Sequence, residues 1–530
     1  MADIYANARS TTGTSLRKKD MNPQSGMCPI CTEDCQILCE IGKSAFRGRE
    51  VLYPDPGEFG KSTASSNKDY GLDWSHFQIM VDVRGTAGIE PDPDKALFTN
   101  VDTSTSAGGI PLMVPVMTAG LGSTAVAKRN WDGLAVGAAI SGTIQVIGEN
   151  VCGMDPDSDY DSKGKVIKSA DMEYRVKKYR EFWDGKHGDI VVQTNVEDQR
   201  GGVDVYALSK LEVDVIERKW GQGAKAIGGE VRIFDLDRAI LLKKRGYIVH
   251  PDPEDPHVQE AFQNKVFESF ERHSRVGMVD SQAFLEDIDW LREQGAKKVF
   301  LKTGAYRPAV VALTLKLASE AKIDLLTFDG AGGGTGMSPV PMMNEASTPT
   351  VYLQAQVLKG LEILRKKGRH IPDICMAGCF VNETQMFKSI AMSNFGDGPY
   401  IKTIGMARAP LTAVMKSKNY VELAKENKLP KNFVSLYGNR PEQFFMATIE
   451  LEDRFGEDAK KLPWPAVGLY SYFVDRLGIG LKQMLAGVRK WKLDLIDRND
   501  IASLTDRAKT VTGIPMVDEV EQDVMEEILG

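Results

Sequence analysis

Much of what would place this chain at a glance is missing from it. No uninterrupted apolar run approaches the ~18 residues that a membrane-spanning helix requires, and the opening MADIYANARSTTG lacks the apolar core of a signal peptide. The expectation is a soluble, cytoplasmic protein with no membrane partner. Charge of one sign is also scarce: 66 Lys and Arg stand against 73 Asp and Glu, for a net −7. That balance argues against a nucleic-acid partner held by phosphate neutralisation. The six histidines show no HExxH pairing, so a catalytic metal held that way is unsupported, and no Ser/His/Asp constellation stands out. The glycine-dense loop from Asp329 to Pro339 is not a Walker A phosphate cradle, since no Gly-Lys-Ser/Thr closes it. The acidic run DPDSDYDSKG fails as a calcium loop, because counting from Asp159 puts Ala170 where the last ligand should be Glu. No repeat with a period of about 20–50 residues marks a solenoid.

Cysteine is sparse as well, with seven residues, and the odd total without a secretory signal argues against a disulfide framework. Four of them, Cys28, Cys31, Cys35 and Cys39, crowd into one C-x2-C-x3-C-x3-C run. Four thiolates in so short a stretch suit a [4Fe–4S] cluster or a tetrahedral structural Zn²⁺, with plain reduced cysteines as the remaining reading.

What the chain does have is texture. From about residue 110, short apolar runs of the kind that form buried parallel strands recur at 112–117, 143–148, 189–194, 299–302, 324–330, 373–378 and 401–407. Amphipathic helical stretches fall between the later ones, at 281–294, 307–321, 350–367 and 382–393. Strand, loop and helix in alternation mean βαβ units and a parallel sheet. Many runs end in glycine-rich loops, which places permissive backbone on one rim, where an α/β (β/α)8 TIM barrel keeps its chemistry. The reading is an N-terminal arm with the cysteine cluster over 1–109, a barrel over 110–415 interrupted by an insertion at 152–188, and a helical C-terminal extension over 416–530.

Four loops carry the candidate chemistry. DGAGGGTGMSP, Asp329 to Pro339, brings backbone N–H groups close to a ring or a phosphate. GQGAKAIGG, Gly221 to Gly229, follows Glu217 and Lys219 and suits a carboxylate or a flavin carbonyl edge. AGCFVNETQ, from Ala377, enters a helix whose free N–H groups favour an anion. IGMARAP, from Ile404, sets Arg408 at the head of the next helix. Loops after strands seven and eight of such a barrel commonly clamp phosphate.

Together these segments resemble the flavin-binding synthase domain of glutamate synthase. Lys219-Trp220-Gly221-Gln222-Gly223-Ala224-Lys225 followed by Gly228-Gly229 is similar to the family's GQGAK–GG segment. VFLKTG supplies the strand-borne Lys302, and Gly333-Gly334-Thr335-Gly336-Met337-Ser338-Pro339 is similar to its GGTGxSP loop. Gly148-Glu149-Asn150-Val151 is a weaker match to its GEGG. The resemblance implies an FMN-containing barrel that reduces 2-iminoglutarate, formed from 2-oxoglutarate and ammonia, to glutamate, with a 2-oxo acid and ammonia or an amine as its small-molecule partners. It assigns catalysis to Lys302, Gln193 and Glu149. The flavin falls to Met117, Thr118, Ala119, Gln193, Lys302, Gly333, Gly334, Thr335 and Gly336, and its phosphate to Gly378, Cys379, Gly405, Met406 and Arg408. Lys219, Gln222 and Lys225 are assigned to substrate or flavin contacts. An N-methylglutamate synthase-type subunit is an alternative, as is a non-catalytic flavin/iron–sulfur electron-transfer subunit of a larger complex.

The chain also departs from that family. It begins Met1-Ala2-Asp3 where full-length glutamate synthases begin with a cysteine nucleophile, so the expectation is ammonia from solution or from a separate glutaminase subunit. The family's long C-terminal β-helix is not expected in 416–530, which reads as too short and too helical for it, and 410–530 lacks the family's three-cysteine run for a [3Fe–4S] cluster. Ala331 and Gly332 replace side chains that could touch substrate, and the segment after GQGAK is one residue short. With no NAD(P)H domain in view, electrons are expected from the N-terminal cluster or from an external ferredoxin or reductase. A homo-oligomer is left open.

Overall fold

The computed structural model describes residues 40–48, 66, 68–221, 230–334 and 338–530. Eight parallel strands close into one barrel: Val116–Leu121, Ile144–Ile147, Ile190–Thr194, Val215–Lys219, Lys298–Gly304, Leu325–Asp329, Asp373–Ala377 and Ile401–Met406. The expected α/β barrel is therefore the fold. The four expected helices form at Ser281–Glu293, Pro308–Glu320, Thr350–Lys366 and Glu383–Met392. Their starts are chemically marked: Asp280 accepts from the Ala283 N–H at 2.8 Å, Pro308 opens its helix, and Asn382 with Gln385 makes a reciprocal cap.

Three readings change. The run at 112–117 is two elements, because Pro115 has no N–H to donate to a ladder. Ile110–Leu112 pairs with Thr105–Ala107 in a hairpin, and the first barrel strand starts at Val116. Residues 152–188 are the ordinary crossover between strands two and three, a small hairpin (Asp159–Tyr160 with Val166–Lys168) followed by the helix Ala170–Arg180. The largest excursion lies between strands four and five. It carries a three-stranded antiparallel sheet, Glu230–Ile233, Phe270–His273 and Ile248–His250, with its own small core around Phe270 and Leu242.

Strand four is the one that the apolar runs missed. Its sequence, Val-Ile-Glu-Arg-Lys, has three charged residues in succession, yet Glu217 and Arg218 are buried. The pleat separates them, since alternate side chains point to opposite faces. Val215 joins the barrel's interior cluster, so Glu217 and Lys219 share that inner face. Arg218 turns out to the helix layer, where Asp287 accepts two of its hydrogen bonds at 2.8 and 2.7 Å and Asp204 a third at 2.7 Å. A buried guanidinium is tolerable only when so fully partnered.

The hairpin at 105–112 plugs the barrel's bottom. Ala107, Ile110 and Leu112 pack with Met117, Val146, Val191, Phe300, Leu325 and Cys375 in one interior cluster. At the other end of the chain, the last barrel helix runs from Arg408 to Lys425, straight through the expected boundary at 415. The helical region beyond it returns to the start of the described chain, where Ile501–Ser503 pairs antiparallel with Phe77–Ile79. Among the described residues, no helix is long and apolar enough to cross a membrane.

The plug offers a stability test. Gly108 turns the hairpin at φ +58°, and a Cβ there would sit 2.5 Å from Phe300 Cε1. Gly108→Ala should cost about 1–3 kcal/mol through strain and overpacking. Chemical denaturation measures this, and an unchanged midpoint would show that the plug does not seat as described.

Candidate active site at the barrel mouth

The parallel strands set their inward-facing ends around one mouth, and those ends are polar. Gln193 ends strand three, Glu217 and Lys219 strand four, Lys302 strand five and Asp329 strand six. Glu149 follows strand two. The groups pair across neighbouring strands: Lys302 Nζ lies 3.3 Å from Asp329 Oδ2, and Lys219 Nζ lies 3.2 Å from Glu149 Oε1. Gln193 Nε2 donates to Glu217 Oε1 at 2.5 Å, and Asn195 Nδ2 donates to Glu149 Oε2 at 2.9 Å.

Burial and pairing compete at each charge. Burial pulls the Lys302 ammonium down, but Asp329 and Glu217 outweigh it, and Lys302 is held above its ordinary value. Burial pushes the Glu217 carboxyl up and wins there against Lys302 and Gln193. Glu217 Oε2 has no hydrogen-bond partner, and neither has the buried Thr327 Oγ1 on the neighbouring sixth strand. For Glu149, burial is outweighed by Lys219 and Asn195, so its carboxylate stays below the usual range.

Beside these charges the wall is made of small residues. A Cβ on Gly405 would meet Ala377 Cβ and Cys375 Sγ at 3.1 Å and Ala119 Cβ at 3.8 Å. Strands one, seven and eight thus pack closely through small residues at the mouth, and none of Ala119, Ala377 or Gly405 carries a side chain long enough to reach across it. Strands seven and eight end at Ala377 and Met406, so 377–379 and 405–408 are the loops following them. Gly378 takes φ +104° with its backbone against loop six, where a Cβ would lie 2.4 Å from Gly330 O. Arg408 is exposed as the first residue of its helix. Gly333 and Gly334 lie in loop six, in whose backbone Gly330 N–H donates to Ala377 O at 2.8 Å.

The structure therefore brings together Lys302, Gln193, Glu149, Lys219, Ala119 and Gly405 at one mouth, with Gly378, Cys379 and Arg408 in the two loops beside it. Two expectations are corrected. Thr118 turns away, since Met117 faces inward and the pleat sends its neighbour into the helix layer. The Met406 side chain also packs outward, 3.6 Å from Tyr472 Oη. Met117 itself is walled into the interior cluster above the plug. Gln222, Lys225, Thr335, Gly336 and the cysteines Cys28, Cys31, Cys35 and Cys39 lie outside the described residues. Glu217 and Asp329 were not singled out as site residues, although Asp329 is a carboxylate ending an apolar run and Glu217 stands two residues before Lys219, both at inward positions. Among the described residues, no group of three or more His, Cys, Asp or Glu side chains could hold a metal.

Fold and mouth together define a parallel α/β barrel with paired charges on its catalytic rim. Residues 269–408 match the family model described as the conserved region in glutamate synthase. That stretch includes Lys302, Asp329, Gly378, Cys379 and Arg408, and it bears out the resemblance drawn from the loops. None of the curated proteins matches the chain. The flavin-binding domain of baker's yeast flavocytochrome b2 is similar at 12% identity and TM-score 0.44, over 86% of this chain and 82% of that one. The monotopic membrane protein (S)-mandelate dehydrogenase is similar at 11% identity and TM-score 0.43, over 81% and 89%.

Asp198 supports the site from below. Its carboxylate accepts from the Asn150 N–H at 3.1 and 3.0 Å and from the Asn195 N–H at 3.2 Å, tying the loop of Glu149 to the end of strand three. Burial pushes its carboxyl up to about 7. Between the unfolded value near 4 and that point, only the folded state keeps the proton, so stability falls as pH rises. Relative to Asp198→Asn, the native protein should lose about 1.4 kcal/mol per pH unit across that window. Parallel denaturation curves from pH 5 to 7 check this, and parallel slopes for the two proteins would contradict it.

Proposed function

We propose that this chain is an FMN-dependent oxidoreductase that reduces the imine of a 2-oxo acid and ammonia or an amine, a reaction of the 2-iminoglutarate-to-glutamate type. The observation that carries this reading is Lys302, a buried ammonium kept charged by Asp329 and Glu217 at a mouth walled with Ala119, Ala377 and Gly405. The residues fit the cofactor. Ala119, Ala377 and Gly405 put no long side chain in the way of a flat ring, and unpartnered Glu217 Oε2 and Thr327 Oγ1 are buried beneath that mouth. Arg408 at a helix start beside Gly378 suits the terminal phosphate.

Bound FMN would supply hydride to the imine carbon, and the protein supplies orientation and charge. Lys302 would offset negative charge gathering on the ring. Gln193, its amide fixed by Glu217, would hydrogen-bond the ring's pyrimidine edge. Glu149 stays ionised, so it is an acceptor that would hold an iminium or ammonium N–H in place and not a proton source. Lys219 sets the direction of Glu149 and offers N–H donors to a substrate carboxylate. The four N-terminal cysteines would hold the iron–sulfur centre that delivers electrons, with an external ferredoxin or reductase as the other source.

Anaerobically purified protein should show the two flavin absorption bands with a broad iron–sulfur shoulder, and Cys28→Ser should remove the shoulder alone. It should form an amino acid from a 2-oxo acid, ammonium and a chemical reductant. Bound FMN with no turnover of any 2-oxo acid would defeat the enzymatic reading. Lys302→Met should lower flavin affinity at least tenfold or make its reduction potential more negative. Unchanged occupancy and potential would refute the role given to Lys302.

A further inference from the structure

A cavity of about 580 Å³ leads away from the Glu149–Lys219 pair. It runs between the helix Val196–Arg200 and the helices Ser281–Glu293 and Pro308–Glu320, under the segment 274–280. Its walls are mainly apolar: Val196, Trp220, Val276, Phe284, Val310 and Leu313. Trp220 meets Phe284 edge-on with ring centroids 4.7 Å apart, an arrangement that offers ring faces and edges to an incoming apolar group.

The cations on this wall are engaged. Arg218 is held by Asp204 and Asp287, Lys219 by Glu149, and Arg275 lies 3.1 Å from Glu197. Among the described lining residues, each cation faces a carboxylate. A second carboxylate carried into this space by a ligand would lose water and gain no unpaired cation from the described lining residues, which is unfavourable. An apolar side chain would displace water from the same walls at a gain of roughly 25 cal/mol per Å² buried. The volume also lies in the range of pockets for ligands well above the size of a five-carbon diacid.

We infer that the ligand of this mouth is a 2-oxo acid, or its amino acid, bearing a bulky aromatic or branched apolar side chain. That side chain occupies the cavity while the polar end stays beside Glu149 and Lys219. The inference rests on the function proposed above and names its substrate class, setting it apart from a short dicarboxylate.

Calorimetric titration of the purified full chain with phenylpyruvate and with 2-oxoglutarate tests it without needing turnover. Phenylpyruvate should bind at least tenfold more tightly. Val276 is 58% exposed on the cavity wall, so Val276→Arg adds an unpaired cation where folding should tolerate it. The variant should weaken phenylpyruvate and tighten 2-oxoglutarate, each about fivefold or more. Equal or tighter binding of 2-oxoglutarate by the native chain, no binding of either acid, or a variant that leaves both affinities unchanged overturns the inference. If phenylpyruvate binds as expected but neither acid is aminated, the proposed reaction fails and the side-chain assignment stands. Preferred binding and amination of 2-oxoglutarate would do the reverse.

Discussion

Everything at the mouth depends on how strand four handles three consecutive charges between strands three and five. The two-residue period of the pleat sends Arg218 outward and Glu217 and Lys219 inward. Outside, the carboxylates of Asp204 and Asp287 neutralise the guanidinium and bind strand four to two helices of the surrounding layer. Inside, Glu217 reaches Gln193 and lowers the cost of burying Lys302, while Lys219 fixes Glu149. A one-residue slip of this strand would place Arg218 in the barrel and Glu217 among apolar helix faces. The partners on both sides therefore specify register as well as charge.

The mouth is a set of exchanges in which Lys302, Lys219, Glu149 and Asp329 each face an opposite charge. Lys302 remains charged because Asp329 and Glu217 outweigh burial, while Glu217 is pushed toward its neutral form by the same burial. Small residues on strands one, seven and eight pack closely on the opposite wall. The division gives one half of the rim charge and the other half only short side chains, which is what a flat, partly charged cofactor with a substrate above it would use.

Seven of the barrel strands were legible because each is a short apolar run of the length a buried strand needs. Strand four was not, because its burial comes from ion pairs made by residues distant in sequence, Asp204 and Asp287. Pro115 could have divided the run at 112–117 on backbone chemistry alone. The excursion between strands four and five hid its sheet in segments such as EVRI and FERH, whose charged residues mask alternation. At the site, Gln193 could be placed by its position at a strand end, and Lys302, Glu149 and Lys219 by the segments that resemble the family's. Thr118 and Met406 could not be oriented without knowing which neighbour faces the axis, and Glu217 and Asp329 gained meaning only from the cations beside them.

The pairing of Phe77–Ile79 with Ile501–Ser503 joins two segments separated by the entire barrel. Residues just upstream reach the rim itself: Ser66 N–H donates to Gly332 O at 3.3 Å, and Tyr70 Oη donates to Met343 O at 3.1 Å. During synthesis, the strand at 77–79 has no partner until all eight barrel strands have emerged. Contacts of such long sequence separation form late and slow folding. The segment that borders the glycine loop is consequently secured by residues made after the whole barrel, so a chain cut before residue 501 would keep all eight barrel strands yet lose the clasp beside its mouth.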